Sequence, residues 1–490
     1  MTHGVDVVLI NPGDRKQVYQ GLGADLAAIE PPFWVAVLAA YLRQQGLSVA
    51  IIDANAENCT PDETAQKAAG LKPRLSCVVV YGSQPSASTQ NMTIAGAIFR
   101  SLSGHDAGRV ALAGLHPSAL PERTLREESV DFVIEGEGPD SIRVLLAELS
   151  AVLPDFSRVP GLWYRIGDSI CSNPRAALIN DLDSYLPIAA WDLLPMNVYR
   201  AHNWHCFDDL EHRSPYGAIY TSLGCPYNCV FCCINAPFGK PGIRYRSPER
   251  VIDEITLLAE KYGVRNLKIV DELFVLKEEH YMTIVEGIIA RKLDLNIWAY
   301  ARVDTVKPEN LARMKQAGIN WLALGIESAN PDVRDGADKR MQPRDITAVV
   351  RAIQDAGIRI IGNFIFGLPD DTQKTMEETL QLAIDLNCEF INFYCAMAYP
   401  GSKLYDIARA EGWELPTDWH GFSQHSYAML PLPTSKLTAA EVLQFRDSAF
   451  HRYFSNPAYL DMIEQKFGTL VRDHLVEMSQ TRLKRKLLGD

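Results

Sequence analysis

The sequence predicts an α/β protein in three parts: a doubly wound N-terminal domain, a partial (β/α)6 barrel and a mainly helical C-terminal appendage. Three observations carry this. Short, almost wholly apolar runs alternate with segments of helical periodicity over residues 5–150. The same alternation returns over 216–400, and a proline-punctuated stretch separates the two. Strands this apolar, divided by helices, belong to parallel sheets covered on both faces. The expected units are residues 1–150, a structured linker over 151–215, the barrel over 216–400 and the appendage over 401–490.

The first domain opens with the strand-like run VDVVLIN and continues through VAIID, CVVVY, RVALAG and DFVIEG. Between them, FWVAVLAAYLRQQG and TIAGAIFRSL carry apolar residues at helical spacing. Ligands of such an open sheet sit beyond the carboxyl ends of its strands. The loops there are INPG, YGSQPSAS, AGLHPSALPE and EGEGPD. Their small residues let a backbone approach a large or phosphate-bearing ligand, although plain turn chemistry also accounts for them. In the linker, PGLWYRIGDSICSNPR reads as a hairpin turning at Gly167 and Asp168, and LPIAAWDLLPMNVY as a connector.

The barrel strands expected are AIYTSLG, NLKIVDELF, NIWAYARV, WLALGIES, IRIIGNFIFG and FINFYCAMAY. In the helical segment SPERVIDEITLLAEKYG, Ser247 can cap and Pro248 suits the first turn. Gly263, Gly318 and Gly357 fall where helices should end. Six units without a seventh or eighth make a partial barrel, with its chemistry at the carboxyl ends of the strands. Residues 401–490 show no strand pattern, and their basic ending TRLKRKLLGD reads as a solvated helix terminus.

A hydrophobic fraction of 47% and a charged fraction of 22% are those of a folded soluble chain. The net charge of −12 argues against a nucleic acid as main partner, because phosphate binding needs concentrated positive charge. No apolar run approaches the ~18 residues of a membrane span. No leader pattern opens the sequence, so a cytoplasmic location is expected. Ten cysteines in such a chain are not a disulfide framework. Cys59, Cys77, Cys171, Cys206, Cys233, Cys388 and Cys395 are scattered or unmatched.

Cys225, Cys229 and Cys232 are different. They stand in GCPYNCVFCC directly after the first barrel strand, three and then two residues apart. Three thiolates on a tight loop can hold three irons of a 4Fe–4S cubane and leave the fourth open. That iron can take the amino and carboxylate groups of S-adenosylmethionine and pass an electron into its sulfonium. The other reading is a structural zinc site completed by Cys233 or a histidine. Zinc sites usually pair two cysteine hairpins, and the sequence has no second one.

With this spacing in this place, residues 216–400 resemble the radical S-adenosylmethionine superfamily. The resemblance implies that Phe231 lies against the adenine and that Asp271 and Glu272 of DELF stand near the methionine amino group. It further implies that Arg302 pairs with the methionine carboxylate, that Glu327 reaches the ribose or amino group, and that Ile365 lines the adenine pocket. Each has a plainer alternative: Phe231 as core, Arg302 with Asp304 as a surface pair, Glu327 as a cap.

From residue 5 to about 400 the chain resembles the cobalamin-binding radical S-adenosylmethionine enzymes of class B methyltransferase type. GLHPSALPE…DFVIEGEG and PGLWYR…DLDSYLP are the specific matches, and the first domain is then a Rossmann-like cobalamin-binding unit. By that resemblance Asn11, Gly82, Ser83, Gln84, Gly114, His116, Gly136 and Glu137 surround the corrin or its nucleotide tail. His116 sits in a His-Pro turn, which can serve only to order its loop. Where cobalamin mutases carry Asp-x-His-x-x-Gly, this chain has INPGDRK. Cobalamin is then held without a histidine ligand, or the domain keeps the fold without the cofactor.

The activity implied is methylation of an unactivated carbon, less often phosphorus. One S-adenosylmethionine remethylates the cobalamin and a second yields the 5′-deoxyadenosyl radical. The alternatives are dehydration of a diol on an aminosugar and oxidative cyclisation, with Tyr394, Tyr399, Asp271 and Glu272 as proton donors and acceptors. A sensor without turnover has no need of an open iron. A transfer-RNA methylthiotransferase shares the cysteine loop but neither the acidic charge nor the first domain. The partners expected are a small-molecule substrate and an external flavodoxin- or ferredoxin-type electron donor, with no nucleic acid and no membrane. Trp413, Trp419, His420, His425 and Tyr427 are read as packing.

Overall fold

The computed structural model describes residues 4–13, 20, 27–82, 85–341 and 345–490. Five parallel strands build the first sheet: β1 (Val5–Asn11), β2 (Val49–Asp53), β3 (Pro73–Val80), β4 (Arg109–Gly114) and β5 (Phe132–Ile134). Their order is β2-β1-β3-β4-β5, so the connections reverse direction between β1 and β3, where ligands of doubly wound sheets bind. Helices Phe33–Gln44 and Pro139–Leu149 cover one face. Helices Pro61–Gly70 and Met92–Ser103 cover the other, which is why the strands read as continuous apolar runs.

The hairpin of the linker forms as expected, but it does not stand apart from the first domain. β6 (Leu162–Ile166) pairs antiparallel with β5, and β7 (Ser169–Ser172) with β6, giving a seven-stranded sheet that extends past residue 150. Leu162 and Tyr164 are buried in the core beside Phe132 and Phe156. This non-local apolar match fixes the hairpin's place and register.

The barrel consists of six parallel strands: β8 (Tyr216–Ile219), β11 (Asn266–Ile269), β12 (Asn296–Arg302), β13 (Ile319–Glu327), β14 (Arg359–Phe366) and β15 (Phe390–Cys395). Two short strands, β9 (Ser222–Leu223) and β10 (Arg244–Tyr245), pair antiparallel across the cysteine loop. Helix Pro248–Tyr262 starts at its proline and ends on Gly263 at φ +67, as the sequence implies. Ser247 makes no side-chain cap; instead its N–H donates to Asp183 at 2.9 Å, tying the helix to the linker.

One hydrophobic core runs from the first sheet through linker residues Trp191, Tyr199 and Trp204 into the barrel. Trp204 packs on Trp298, Trp321 and Phe390 near the amino-terminal ends of the barrel strands. The appendage contains helices Lys403–Ala410, Ala439–Phe454, Pro457–Phe467 and Thr469–Gln480. Its basic tail is not a solvated terminus. Arg485 is buried, pairs with Asp447 at 2.9 Å and donates to the carbonyls of Gln424 and Ser426. Among the described residues no helix is long and apolar enough to cross a membrane.

Candidate active site

The cysteine loop is pinned on both sides. Gly224 adopts φ +88, and a Cβ there would lie 2.5 Å from the Gly242 carbonyl oxygen, so only glycine allows the crossing. Gly242 N–H donates to Cys225 O at 3.0 Å and Cys232 N–H to Cys229 O at 3.0 Å. Outside the loop, Val230 N–H bonds to Ala337 O and Leu404 N–H to Val230 O. Burial raises all three thiols, Cys225 to about 11, so ligation must displace protons. Among the described residues, no three His, Cys, Asp or Glu side chains are arranged to hold one metal ion.

Cys225, Cys229, Cys232 and Cys233 border a cavity of about 530 Å³ between the barrel and the first sheet. Phe231, Glu272, Arg302, Glu327, Ile365, Tyr394 and Tyr399 all border it. Arg302 is no surface residue: it is 2% exposed, held by Asp304 at 2.9 Å and stacked 4.0 Å from the Tyr227 ring centroid. Glu327 sits at φ +65 where the β13–β14 register slips, and such a bulge re-aims a side chain. Its carboxylate pairs with Lys339 Nζ at 2.7 Å. Gly325 makes room, since a Cβ there would meet Glu327 Oε1 at 2.7 Å and Lys339 Nζ at 2.8 Å.

Asp271 and Glu272 part ways. Asp271 does not border the cavity. It accepts the Thr221 N–H at 2.6 Å and the Thr221 and Ser222 hydroxyls at 2.5 Å each, so it buttresses the turn after β8 rather than serving as an acid or base. Glu272 borders the cavity, and burial pushes its carboxyl up to about 7 against the lowering effect of Lys268.

The wall contributed by the first sheet carries Asn11 and Gly82, together with Trp34 stacked on Tyr81 at 4.5 Å. Four further residues expected around the cobalamin do not border this cavity. His116 is fully buried, its Nδ1 3.2 Å from the Thr89 hydroxyl and its ring 4.4 Å from Trp419. Burial pushes its pKa down to about 3, so the ring is neutral. Gly114 serves close packing, because a Cβ would fall 2.7 Å from the Val80 carbonyl. The Gly136 carbonyl accepts the Tyr81 hydroxyl from behind the wall, and Glu137 pairs with Arg244. Ser83 and Gln84 lie outside the described residues.

Several cavity residues were not singled out from the sequence. Lys268 is 1% exposed, paired with Glu30 at 3.1 Å and 4.7 Å from the Trp298 ring centroid. A lysine inside the apolar run NLKIV was the available signal. His202 lies 3.7 Å from Glu30 and also reaches the cavity. From the appendage, Gln424 borders it, and so does His425, which the sequence reading assigned to packing, whereas Trp419 packs under Arg123 and against His116.

Comparison with known proteins follows the two halves. The Radical SAM superfamily matches residues 219–383 and the B12 binding domain matches residues 19–146. An uncharacterized methyltransferase of Pyrococcus horikoshii is 30% identical, covering 93% of this chain and 93% of its own length. The anaerobic magnesium-protoporphyrin IX monomethyl ester cyclase of Rubrivivax gelatinosus is 26% identical over 93% of this chain and 78% of its own. The fold is shared with TsrM, a radical S-adenosylmethionine methyltransferase of Kitasatospora setae solved with cobalamin and a 4Fe–4S cluster. There the TM-score is 0.69 at 18% identity, over 94% of this chain and 90% of the other. It is shared also with OxsB, a cobalamin-dependent S-adenosylmethionine radical enzyme, at TM-score 0.69 and 16% identity, over 97% and 71%.

Proposed function

Because the chain belongs to the cobalamin-binding radical S-adenosylmethionine enzymes, with a 4Fe–4S cluster, S-adenosylmethionine and cobalamin as cofactors, we propose that it methylates an unactivated carbon of a small molecule. One observation carries the reading. The three cysteines and the polar barrel-strand ends share a single cavity with the switch-point wall of the first sheet. The residues present suit the cofactors. Three thiols bordering one cavity suit a cluster with one open iron, and the wall of Asn11, Trp34, Tyr81 and Gly82 suits a broad planar ring.

When bound, these groups supply a carbon-centred radical that removes hydrogen and a methyl group that replaces it. The chain's own residues orient and insulate. Asp304 and Tyr227 fix the Arg302 guanidinium, which would hold the methionine carboxylate. Lys339 pairs with Glu327 and fixes its carboxylate, which would meet the ribose or amino group. Glu272 would accept from the amino group, and Phe231 and Ile365 would flank the adenine; all three border the cavity. Tyr394 borders the substrate space and can hold a proton at its hydroxyl. All ten cysteines are free thiols, which agrees with a reducing cytoplasm where a flavodoxin- or ferredoxin-type donor supplies electrons.

The second reading is oxidative cyclisation, favoured by the Rubrivivax relative, whose activity is a cyclisation. Anaerobic turnover with cobalamin separates the two. Methylation yields S-adenosylhomocysteine beside 5′-deoxyadenosine; 5′-deoxyadenosine alone would overturn it in favour of cyclisation.

A further inference from the structure

Glu137 and Arg244 form a closed ring of contacts between three segments. The guanidinium donates to Glu137 Oε1 at 2.7 Å and Oε2 at 3.1 Å, and to the Ile179 carbonyl at 2.6 Å. The Ile179 N–H returns to Glu137 at 3.2 Å. The pair's side chains are 7% and 14% exposed, so this fork is not a surface bridge that water dissolves.

Each end of the ring leads directly to one wall of the cavity. Behind Glu137, the carbonyl of Gly136 accepts the Tyr81 hydroxyl at 3.0 Å, and Tyr81 stacks on Trp34 in the first-sheet wall. Behind Arg244, β10 pairs that residue with Leu223 of β9, two positions before Cys225. The neighbouring Gly242 holds the Cys225 carbonyl. Beside the direct contact of Trp34 with the Tyr220 ring at 6.1 Å, one polar path between the two walls therefore runs through this ion pair.

We propose that Glu137 and Arg244 are positioning residues that set the separation between the first-sheet wall and the cysteine loop. The proposal rests on the methyl-transfer reading for its purpose, since two reacting centres on different domains must meet the same substrate atom. A 1 Å misplacement of reacting groups can cost about 100-fold in rate. A second contact keeps the domains together when the pair is changed. Arg175 pairs with Glu135 and donates to the Ala236 carbonyl at 3.0 Å.

The test is the distance distribution, by pulsed dipolar spectroscopy, between the reduced cluster and a nitroxide on Ser103→Cys in the reconstituted full chain, with Cys59 and Cys171 replaced by serine. The parent protein should give one narrow distribution. Glu137→Gln should broaden it and shift it to longer distance, with iron content unchanged. Arg244→Lys, which keeps the charge but loses the fork, should broaden it less, and Arg244→Gln should broaden it as much as Glu137→Gln. Should Glu137→Gln fail to fold, the two Arg244 variants decide. Parental widths in Glu137→Gln and Arg244→Gln, or equal widths in Arg244→Lys and Arg244→Gln, would overturn the proposal. Absence of bound cobalamin in the parent would count against methyl transfer, while this distance would still report on the ion pair.

Discussion

On the barrel side of the cavity, charged residues at the strand ends face the ligand space in compensated pairs: Arg302 with Asp304, Glu327 with Lys339, Lys268 with Glu30. On the first-sheet side the charged and titratable strand-end residues turn away. Glu137 grips Arg244 and His116 is enclosed under Trp419, leaving aromatic and small residues at the wall. The difference follows from what each face must hold. A small zwitterion needs fixed charges, and pairing each one offsets the cost of burying it. A broad ring needs flat area and close backbone approach.

The comparison breaks most visibly at the cluster. Cys229→Ala removes one of three ligands and should abolish both the iron–sulfur absorbance and reductive formation of 5′-deoxyadenosine. Lys339→Met leaves Glu327 buried and unpaired, and breaking such a pair typically costs about 3–5 kcal/mol. A clearly lowered urea midpoint should report it.

The adjacent acids sharpen the contrast. Glu272→Gln should weaken S-adenosylmethionine binding about tenfold, for a loss near 1.4 kcal/mol, with little change in the urea midpoint. Asp271→Asn should do the reverse, lowering stability by about 1–3 kcal/mol through its three donors while S-adenosylmethionine still binds. Equal effects of the two on binding would erase the distinction.

The smallest effect is expected at His116. Its folded pKa is depressed to about 3, below the ordinary value near 6.5, so the unfolded chain binds the extra proton between those limits. Its contribution is present above pH 6.5 and is lost as pH falls towards 3. The urea midpoint of His116→Gln should therefore fall less steeply with acid than that of the parent, and the cobalamin content should stay the same.

What was legible in the sequence was local. Apolar runs such as VVLI and WLALGI announced the strands, and the spacing of Cys225, Cys229 and Cys232 announced the cluster, because both depend on near neighbours. Strand-end residues of the barrel followed from fold logic, since parallel strands deliver their ends to one face. What was not legible depended on distant partners. Arg244 stands 107 positions from Glu137, and Glu30 stands 238 from Lys268. Likewise the hairpin at β6 and β7 showed its turn but not the sheet it extends, and Arg485 showed its charge but not the carbonyls and the carboxylate that bury it.

The central claim is that three thiols leave one iron for S-adenosylmethionine at the barrel face. Electron–nuclear double resonance on the reduced, anaerobically reconstituted protein tests it, with S-adenosylmethionine carrying 15N in its amino group and 17O in its carboxylate. The account predicts hyperfine coupling of both labels to the cluster, lost in Cys229→Ala together with the cluster itself. A cluster with four protein ligands, or a single bound metal ion with no coupling to either label, would contradict it.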